Sequence, residues 1–387
     1  MKILMLQDDF PPQSFGGAGI STFYLARGLQ KAGHQIFVIT TCREKKDEGV
    51  CDYQGLKVFR IFADYHPRYR AYLSLYNPQT VNKARELMKQ ISPDITHAHN
   101  IHSYLSYACL KIAKKHSKAL FWTARDTMSF TFGKLATKKY LEQFDTRTSW
   151  WDHFKEAKKR YNPLRNIIIR HYLKYVDKIF AVTHVLKDAL AQNGIKNAEV
   201  SYTGIDVDDW ALTPDKIKEF REKYGLQDKK IIFFAGRVSG LKGLEQIKQA
   251  MVKVKQEIPE ALLLIAGKGG IGWLTGEELR AAYHSADIVV TPSIYFDPLN
   301  RTNLEGMACK KPIVGTCYGG TPEVVLDGVT GVIVNPFDTE LMAQKIIDLL
   351  KNDQKAKQFG EAGFERVKKY FNQDAHVSQT LAYYQKI

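Results

Sequence analysis

The sequence lacks the features of several specialised protein classes. No apolar run approaches the ~20 residues of a membrane span, so a membrane-spanning chain is not expected. The five cysteines form no C-x-x-C pair, which argues against a zinc site and a disulfide framework. No short-period repeat or low-complexity segment occurs. The apolar start meets Gln7, Asp8 and Asp9 too soon for a signal peptide, so we expect a cytoplasmic protein.

Strand-like and helix-like segments alternate along the 387 residues. This alternation predicts parallel sheets covered by helices on both faces. The first series of predicted strands is Lys2–Gln7, Gln35–Thr40, Leu56–Ile61, Asp94–Ala98, Leu120–Thr123, Lys178–Val182 and Glu199–Tyr202. The second is Lys230–Ala235, Ala261–Ala266, Asp287–Thr291, Pro312–Gly315 and Val332–Val334. The polar segment 203–210 between them is the predicted linker, so we expect an α/β chain of two Rossmann-like domains.

Two carboxylates, Asp297 and Glu305, follow the predicted strand Asp287–Thr291 and lie at the opening of a helix. In open α/β sheets ligands bind at the carboxyl ends of the strands, and an ionised carboxylate there suits the hydroxyls of a sugar or ribose. The alternative is that Asp297 is a turn residue and Glu305 a solvated acid in the first helical turn.

Two glycine-containing loops precede helices. In the second series, Ala235–Gly243 carries Arg237 and Lys242, which makes it a candidate phosphate-binding loop or an ordinary solvated loop. In the first series, Gly16 and Gly17 open a helix, where backbone N–H groups can approach an anion or the turn can simply reverse the chain.

Two histidines end the strand at Asp94–Ala98. Alternation places His97 and His99 on one face of the strand. A metal site would need a third ligand, and no residue stands at a telling spacing. They are therefore either part of a site or a plain strand-end pair.

Several motifs together resemble the retaining glycosyltransferases of the GT-B fold, of the family 4 type. Residues 297–305 are similar to the family's E-x7-E, residues 236–243 to G-R-x4-K-G, and residues 93–100 to PDxxHxHx. The segments Gly319–Val325, GGTPEVV, and Asp327–Gly331, DGVTG, match its later motifs. The resemblance covers most of the chain and is strongest from 231 to 340.

The resemblance implies two Rossmann-like domains with parallel sheets facing across an interdomain cleft. Their bounds would be 1–204 on the acceptor side and 205–370 on the donor side, with a C-terminal helix at 371–387 crossing back. A UDP- or GDP-sugar would transfer its sugar, with retention, to a glycan, a lipid-linked glycan or a small hydroxyl acceptor. No metal and no cofactor would be needed.

The same resemblance assigns roles to individual residues. His99 and Asp297 would contact the sugar at the reacting centre, and Glu305 would bind the ribose. Arg237 and Lys242 would hold the pyrophosphate. The remaining assignments are main-chain contacts to phosphate or acceptor at Gly16 and Gly17, and an acceptor or phosphate contact at Arg125.

The chain also departs from the family pattern. Asp297 is one methylene shorter than the usual Glu, Asn300 replaces a Gly, and Arg125 replaces a His. The segment around Gly269 is short, in the region where members commonly hold the base. We therefore expect a different donor-sugar preference, and the nucleotide pocket is the least transferable feature.

Nearly half of the net charge of +15 lies in residues 134–175, which carry 11 Lys and Arg against 4 Asp and Glu, interleaved with aromatics. Such a stretch suits an anionic membrane surface, which would make the protein peripheral on the inner membrane face, or it is a solvated helix face with core aromatics. Nucleic acid is not expected, because no nucleic-acid module is present. Two other classes stay open: a nucleotide-sugar epimerase or phosphorylase of the same fold, and a non-enzymatic protein that binds anionic surfaces.

Overall fold

The computed structural model describes residues 1–13, 16–236 and 240–386. The chain divides into two compact units. The first comprises 1–137, 145–204 and 373–387, and the second comprises 138–144 and 205–372. The boundary at Gly204 and Ile205 falls within the predicted linker. The domain bounds 1–204, 205–370 and 371–387 stay a prediction.

The first unit is built on an eight-stranded sheet with the order β3-β4-β2-β1-β5-β6-β7-β8. Its strands are β1 Lys2–Leu6, β2 Gln35–Cys42, β3 Gly49–Tyr53, β4 Leu56–Phe62, β5 Ile95–Ala98, β6 Ala119–Ala124, β7 Lys178–Ala181 and β8 Ala198–Val200. All neighbouring strands pair in parallel except β3 and β4. The central strands are buried on both faces, which explains their continuous apolar runs.

Helices lie between these strands in the sequence. They are α1 Gly17–Lys31, α2 Arg70–Leu73, α3 Pro78–Ile91, α4 Ala108–His116, α5 Lys138–Gln143, α6 Trp150–Ala157, α7 Arg165–Leu173 and α8 His184–Gln192. α5 belongs to the second unit, although it lies early in the chain.

The second unit is built on a five-stranded parallel sheet with the order β10-β9-β11-β12-β13. Its strands are β9 Lys230–Ala235, β10 Ala261–Ala266, β11 Ile288–Thr291, β12 Ile313–Thr316 and β13 Gly331–Val334. The remaining helices are α9 Pro214–Lys223, α10 Leu244–Glu257, α11 Gly276–Ser285, α12 Arg301–Ala308, α13 Thr321–Val324, α14 Thr339–Lys351, α15 Asp353–Tyr370 and α16 Gln373–Tyr384. All of them except α16 belong to this unit.

The strand β3 was missed from the sequence, and it makes the first sheet mixed rather than purely parallel. It is an edge strand, mostly exposed, so it lacks the apolar run that marks the central strands. A two-residue turn joins it to β4, with positive φ at Gln54 and Gly55. This is the turn geometry of a hairpin, but Gln-Gly is a weaker hairpin signal than Asn-Gly.

The helix α16 packs against the first unit's core. Val377 and Tyr384 belong to the same buried cluster as Leu25 and Leu29 of α1. Gly28 allows the two helices to approach closely, because a Cβ at this position would lie 2.3 Å from Cγ2 of Val377. Residues of α16 are therefore part of the first unit's hydrophobic core.

Other features of the described residues bear on the class of protein. All five cysteines are free thiols. Among residues 1–13, 16–236 and 240–386, none of the helices combines the length and the apolar character needed to cross a bilayer.

The contact between Gly28 and Val377 predicts that Gly28→Ala destabilises the parent chain but not a Val377→Ala chain. Gly28→Ala alone should lower the free energy of unfolding by about 1–3 kcal/mol, because the added methyl overpacks the interface. In a Val377→Ala chain the methyl has room, and the same change should be neutral or stabilising by up to about 1 kcal/mol, since Ala favours a helix over Gly. Denaturant unfolding of the four chains measures the coupling, and equal costs in both backgrounds would contradict the packing described here.

Candidate functional site

Each sheet has one point where the strand order reverses direction. In the first sheet the chain leaves β1 towards β2 on one side, while β5 lies on the other side. In the second sheet β9 has β10 on one side and β11 on the other. Ligands of open α/β sheets bind outside the carboxyl ends of the strands at such points. The residues that follow β1, β5, β9 and β11 are therefore the first candidates.

In the second unit, Lys242 and Asp297 form an ion pair beside this point. Lys242 follows β9 and Asp297 follows β11, and Nζ lies 2.7 Å from Oδ2. Their side chains are 19% and 11% exposed. The hydroxyl of Tyr295 donates to the same carboxylate oxygen at 2.8 Å. Two residues predicted separately to contact phosphate and sugar thus lie together.

Close backbone contact brings the two loops together. Gly243 has φ 78°, and a Cβ there would lie 1.8 Å from the carbonyl oxygen of Pro292. The N–H of Ile294 donates to the carbonyl of Leu241 at 2.9 Å. Only glycine fits at position 243, which gives a physical reason for the last residue of the basic motif. Arg237 lies outside the described residues.

The predicted GGTPEVV segment fixes the backbone of Asp297. Gly319 has φ 64°, and a Cβ there would lie 2.2 Å from the carbonyl oxygen of Asp297. That carbonyl accepts the N–H of Gly320 at 2.8 Å. The two glycines therefore hold the acidic loop by close approach and by a hydrogen bond.

Glu305 is held by two side chains that the sequence reasoning did not select. Tyr283 donates its hydroxyl to Oε2 at 2.7 Å, and Arg301 donates Nε–H to Oε1 at 3.2 Å. The alternative of a solvated first-turn acid is wrong, because α12 begins at Arg301 and the Glu305 side chain is 14% exposed. Asn300, which replaces a family glycine, caps this helix by accepting the N–H of Thr302.

The segment 138–144 contributes an aromatic support for the same loop region. The N–H of Gly319 donates to the hydroxyl of Tyr140 at 2.7 Å, and the Tyr140 ring packs on Phe296 with centroids 5.4 Å apart. Burial raises the pKa of this phenol. Tyr140 is therefore a core residue. This agrees with the alternative for stretch 134–175, in which some of its aromatics are core residues.

In the first unit, Gly16 and Gly17 stand where α1 begins. Gly16 is the N-cap without a side chain, and α1 starts at Gly17. The first N–H groups of a helix have no acceptor within it and favour an anion. A Cβ at Gly19 would lie 2.4 Å from the carbonyl oxygen of Asp9, so this glycine is required where the helix meets the chain after β1.

The rings of His97 and His99 stack, with centroids 4.3 Å apart, as alternation along β5 predicts. Both nitrogens of His97 are engaged, Nδ1 with the hydroxyl of Tyr384 at 2.6 Å and Nε2 with that of Thr123 at 2.7 Å. This leaves His97 no nitrogen for a metal. No group of three or more His, Cys, Asp or Glu within the described ranges could hold a metal ion.

Arg125 sets the protonation of His99. Its Nε–H donates to Nδ1 of His99 at 3.4 Å, while Nη1 donates to Thr203 at 2.8 Å. Nδ1 therefore acts as the acceptor, and the proton of the neutral ring is on Nε2. Burial, followed by His97 and Arg125, holds the pKa of His99 well below its usual range. His99 is thus a neutral donor.

Nε2 of His99 is buried and finds no hydrogen-bond partner in the part of the chain that the structure describes. Buried polar groups nearly always have partners, so each such atom needs an explanation, and His99 shares this state with others such as Nε2 of His376. Of the two stacked histidines, His99 is the one with a nitrogen left to donate to a ligand.

Asp8 is a buried carboxylate that the sequence analysis missed. It accepts the N–H groups of Ser103, Tyr104 and Leu105 at 2.7 to 2.9 Å. Burial raises its pKa, although His102 and the N–H groups of Leu105 and Ser103 oppose the shift. It fixes the loop that follows His99, so its role is to hold that loop in position. A carboxylate directly after β1 was the available signal.

Comparison with known proteins agrees with this geometry. The family model described as Glycosyltransferase Family 4 matches residues 15–209, and the one described as Glycosyl transferases group 1 matches residues 229–352. The chain belongs to glycosyltransferase family 4. The first match lies mainly in the first unit and includes Gly16, Gly17 and His99. The second lies within the second unit and includes Lys242 and Asp297.

Curated relatives of the family match along most of the chain. An uncharacterized glycosyltransferase of Methanocaldococcus jannaschii is 27% identical over 368 residues, which cover 89% of this chain and 87% of that protein. The alpha-maltose-1-phosphate synthase of Mycolicibacterium smegmatis is 24% identical over 434 residues, with all of both chains covered.

Solved structures show the same fold. The sucrose-phosphate synthase of Thermosynechococcus elongatus superposes with a TM-score of 0.78 at 19% identity, covering 100% of this chain and 98% of that one. Anabaena HepE in complex with UDP and glucose gives 0.73 at 16% identity, with both chains fully covered. These neighbours are GT-B glycosyltransferases, and this family 4 chain has the GT-B fold.

The buried histidines predict a loss of stability in acid. Burial, with Arg125 second, lowers the pKa of His376 to about 3, against ~6.5 in the unfolded chain. Since the unfolded chain binds the proton first, this contribution to stability is complete above pH ~6.5 and falls as pH drops towards 3. The loss is about 1.4 kcal/mol per pH unit, or about 2 kcal/mol at pH 5.

His376→Asn should therefore lose less stability than the parent between pH 7 and pH 5, by about 2 kcal/mol. Denaturant unfolding at both pH values measures this difference, in which contributions from other titrating groups cancel. His171→Asn, at an exposed position, is the matched control and should behave as the parent. Equal pH-dependent losses in His376→Asn and the parent would contradict the buried, neutral state of His376.

Proposed function

We propose that this protein is a retaining glycosyltransferase that moves a sugar from a UDP- or GDP-sugar to a hydroxyl acceptor. The observation that carries the proposal is the ion pair between Lys242 and Asp297 beside the point of strand reversal in the second sheet. A nucleotide sugar carries a diphosphate and a polyhydroxyl ring. The cation Lys242 suits the diphosphate, and the neighbouring carboxylate of Asp297 suits the hydroxyls of the sugar ring.

Lys242 supplies charge for the diphosphate. An ammonium has three N–H donors, so Lys242 can hold Asp297 and still donate to phosphate oxygens. Negative charge grows on the diphosphate as the bond to the sugar breaks, so the same contact stabilises the transition state more than the ground state. Arg237 is proposed as its partner. Together these cations stabilise the charge on the diphosphate, so the proposed reaction needs no metal and no cofactor.

Asp297 and Glu305 accept hydrogen bonds from ligand hydroxyls in this proposal. Tyr295 and Lys242 orient the Asp297 carboxylate, which receives hydroxyls of the transferred sugar. Tyr283 and Arg301 orient Glu305, which receives hydroxyls of the ribose. Two donors on each carboxylate restrict its rotation, so little reorganisation is needed when the ligand binds.

The neutral Nε2–H of His99 donates to an oxygen of the sugar, and Gly16 and Gly17 offer main-chain N–H groups to phosphate or acceptor. The bond from the anomeric carbon to the diphosphate breaks, and a bond to the acceptor oxygen forms on the same face. The acceptor proton passes to the departing diphosphate. This route needs no protein nucleophile and retains the anomeric configuration.

The names of relatives support a nucleotide-sugar donor. Anabaena HepE was also solved in complex with UDP-glucose, and a GDP-mannose-dependent mannosyltransferase of Mycolicibacterium smegmatis acts on a phosphatidylinositol monomannoside. The proposed acceptor class accordingly includes a glycan, a lipid-linked glycan or a small alcohol.

The segment after β10 closes by a bridge between Gly267 and Gly272, so base recognition there depends on a short loop.

Donor binding should depend on Lys242. A nucleotide sugar at 100 times its dissociation constant should stabilise the parent by about 2.7 kcal/mol, measured as a rise in melting temperature across UDP-, GDP- and ADP-sugars. Lys242→Ala should lose that rise. Lys248→Ala is the matched control, because Lys248 is an exposed lysine on α10 that pairs only with Glu245 among the described residues.

A rise that survives in Lys242→Ala would overturn the donor site proposed here. Conversion of the donor without an acceptor would indicate an epimerase, and transfer to free phosphate would indicate a phosphorylase. Those outcomes concern the reaction class, whereas the Lys242 variant concerns the site.

A further inference from the structure

An exposed aromatic patch lies on α6 in the first unit. It consists of Trp150, Trp151 and Phe154 on the helix and Tyr161 just after it. The three side chains on the helix are 66%, 47% and 45% exposed in that order. Trp151 stacks on Phe154 with centroids 5.7 Å apart, and Phe154 meets Tyr161 edge to face at 5.8 Å. The patch is therefore a connected group of rings and not scattered surface residues.

The first unit holds this short helix in place without burying its rings. Ser149 and Asp152 form a reciprocal capping box at the start of α6. Ala157 is its buried residue. The hydroxyl of Tyr72 donates to the carbonyl of Tyr161 at 3.3 Å, which ties the patch to α2. The rings are presented to solvent on a fixed element, and exposed clusters of this kind mark interaction sites.

Three basic side chains lie in the same segment as the rings. Lys155, Lys158 and Arg160 are exposed, and none of them forms an ion pair among the described residues. Nζ of Lys155 lies 5.5 Å from the ring centre of Trp151. Elsewhere the described surface pairs many of its lysines with carboxylates, as at Lys114 and Lys351. The patch therefore combines apolar rings with basic side chains that form no ion pair among the described residues.

We propose that this patch docks the protein on an anionic lipid bilayer. Trp and Tyr rings favour the boundary between headgroups and acyl chains, because one part of the ring is apolar and another part can hydrogen-bond. Lys and Arg beside them gain about 1 kcal/mol each near an anionic leaflet. The proposed membrane contact is limited to residues 150–161 and does not extend over the whole stretch 134–175, because Tyr140 is buried in the second unit.

Vesicle flotation of the full chain tests the proposal. The parent should bind vesicles of phosphatidylcholine mixed with phosphatidylglycerol and not vesicles of phosphatidylcholine alone. Lys155→Gln with Lys158→Gln and Arg160→Gln should weaken binding by roughly fivefold per charge. Trp150→Ser with Trp151→Ser and Phe154→Ser should abolish it. Both sets change exposed side chains, so the circular dichroism spectrum and melting temperature should stay close to the parent's.

Matched variants separate the patch from general charge and apolarity. Lys31→Gln with Lys89→Gln and Lys115→Gln removes the same charge from exposed sites of the first unit and should bind as the parent. Trp273→Ser with Val329→Ser and Phe337→Ser removes equally exposed apolar groups from the second unit and should also bind as the parent. Equal weakening by patch and control variants would overturn the proposal, as would absence of parent binding at low salt.

Tryptophan emission tests whether the rings enter the bilayer. The parent's emission should shift to shorter wavelength on binding anionic vesicles. Trp150→Phe with Trp151→Phe keeps apolar rings, so it should still bind while losing most of that shift. A full shift in this variant would show that another tryptophan enters the bilayer and would overturn the assignment to α6. Binding of another protein instead of vesicles would likewise overturn it.

Discussion

The ion pair between Lys242 and Asp297 is the interaction on which the candidate site depends. It joins the loop after β9 to the loop after β11, the two strands that flank the reversal of strand order. Glycines make this possible, since a side chain at Gly243 or Gly319 would collide with the backbone of the facing loop. The glycine motifs and the charged residues are thus two parts of one arrangement.

Both units place functional candidates by the same topological rule. In the first unit Gly17 follows β1 and His99 follows β5, and in the second unit Lys242 follows β9 and Asp297 follows β11. In each sheet the two strands are neighbours, so residues far apart in sequence meet at one edge. Supporting side chains then determine their chemical state, as Arg125 does for the proton of His99.

Much of this was predictable from sequence, and the exceptions have physical reasons. Buried parallel strands show as apolar runs, whereas the edge strand β3 is exposed and shows no such run. Lys242 and Asp297 were predicted because each lies in a recognisable sequence motif, 236–243 and 297–305. Tyr283 was missed because it reaches Glu305 only through tertiary packing. Arg301 lies four residues before Glu305 on α12, an i,i+4 spacing that the sequence analysis did not use. The exposed Trp150 and the buried Tyr140 occur in one basic stretch, and only the fold separates them.

Proton NMR of the reaction product tests the central claim most directly. With a nucleotide sugar that stabilises the chain, and an acceptor that accepts its sugar, the product should keep the donor's anomeric configuration. Asp297→Asn should slow that transfer by about 10²–10³-fold, because a preorganised charged contact to the reacting sugar is lost. Inversion at the anomeric carbon, or transfer that Asp297→Asn leaves unchanged, would contradict the account.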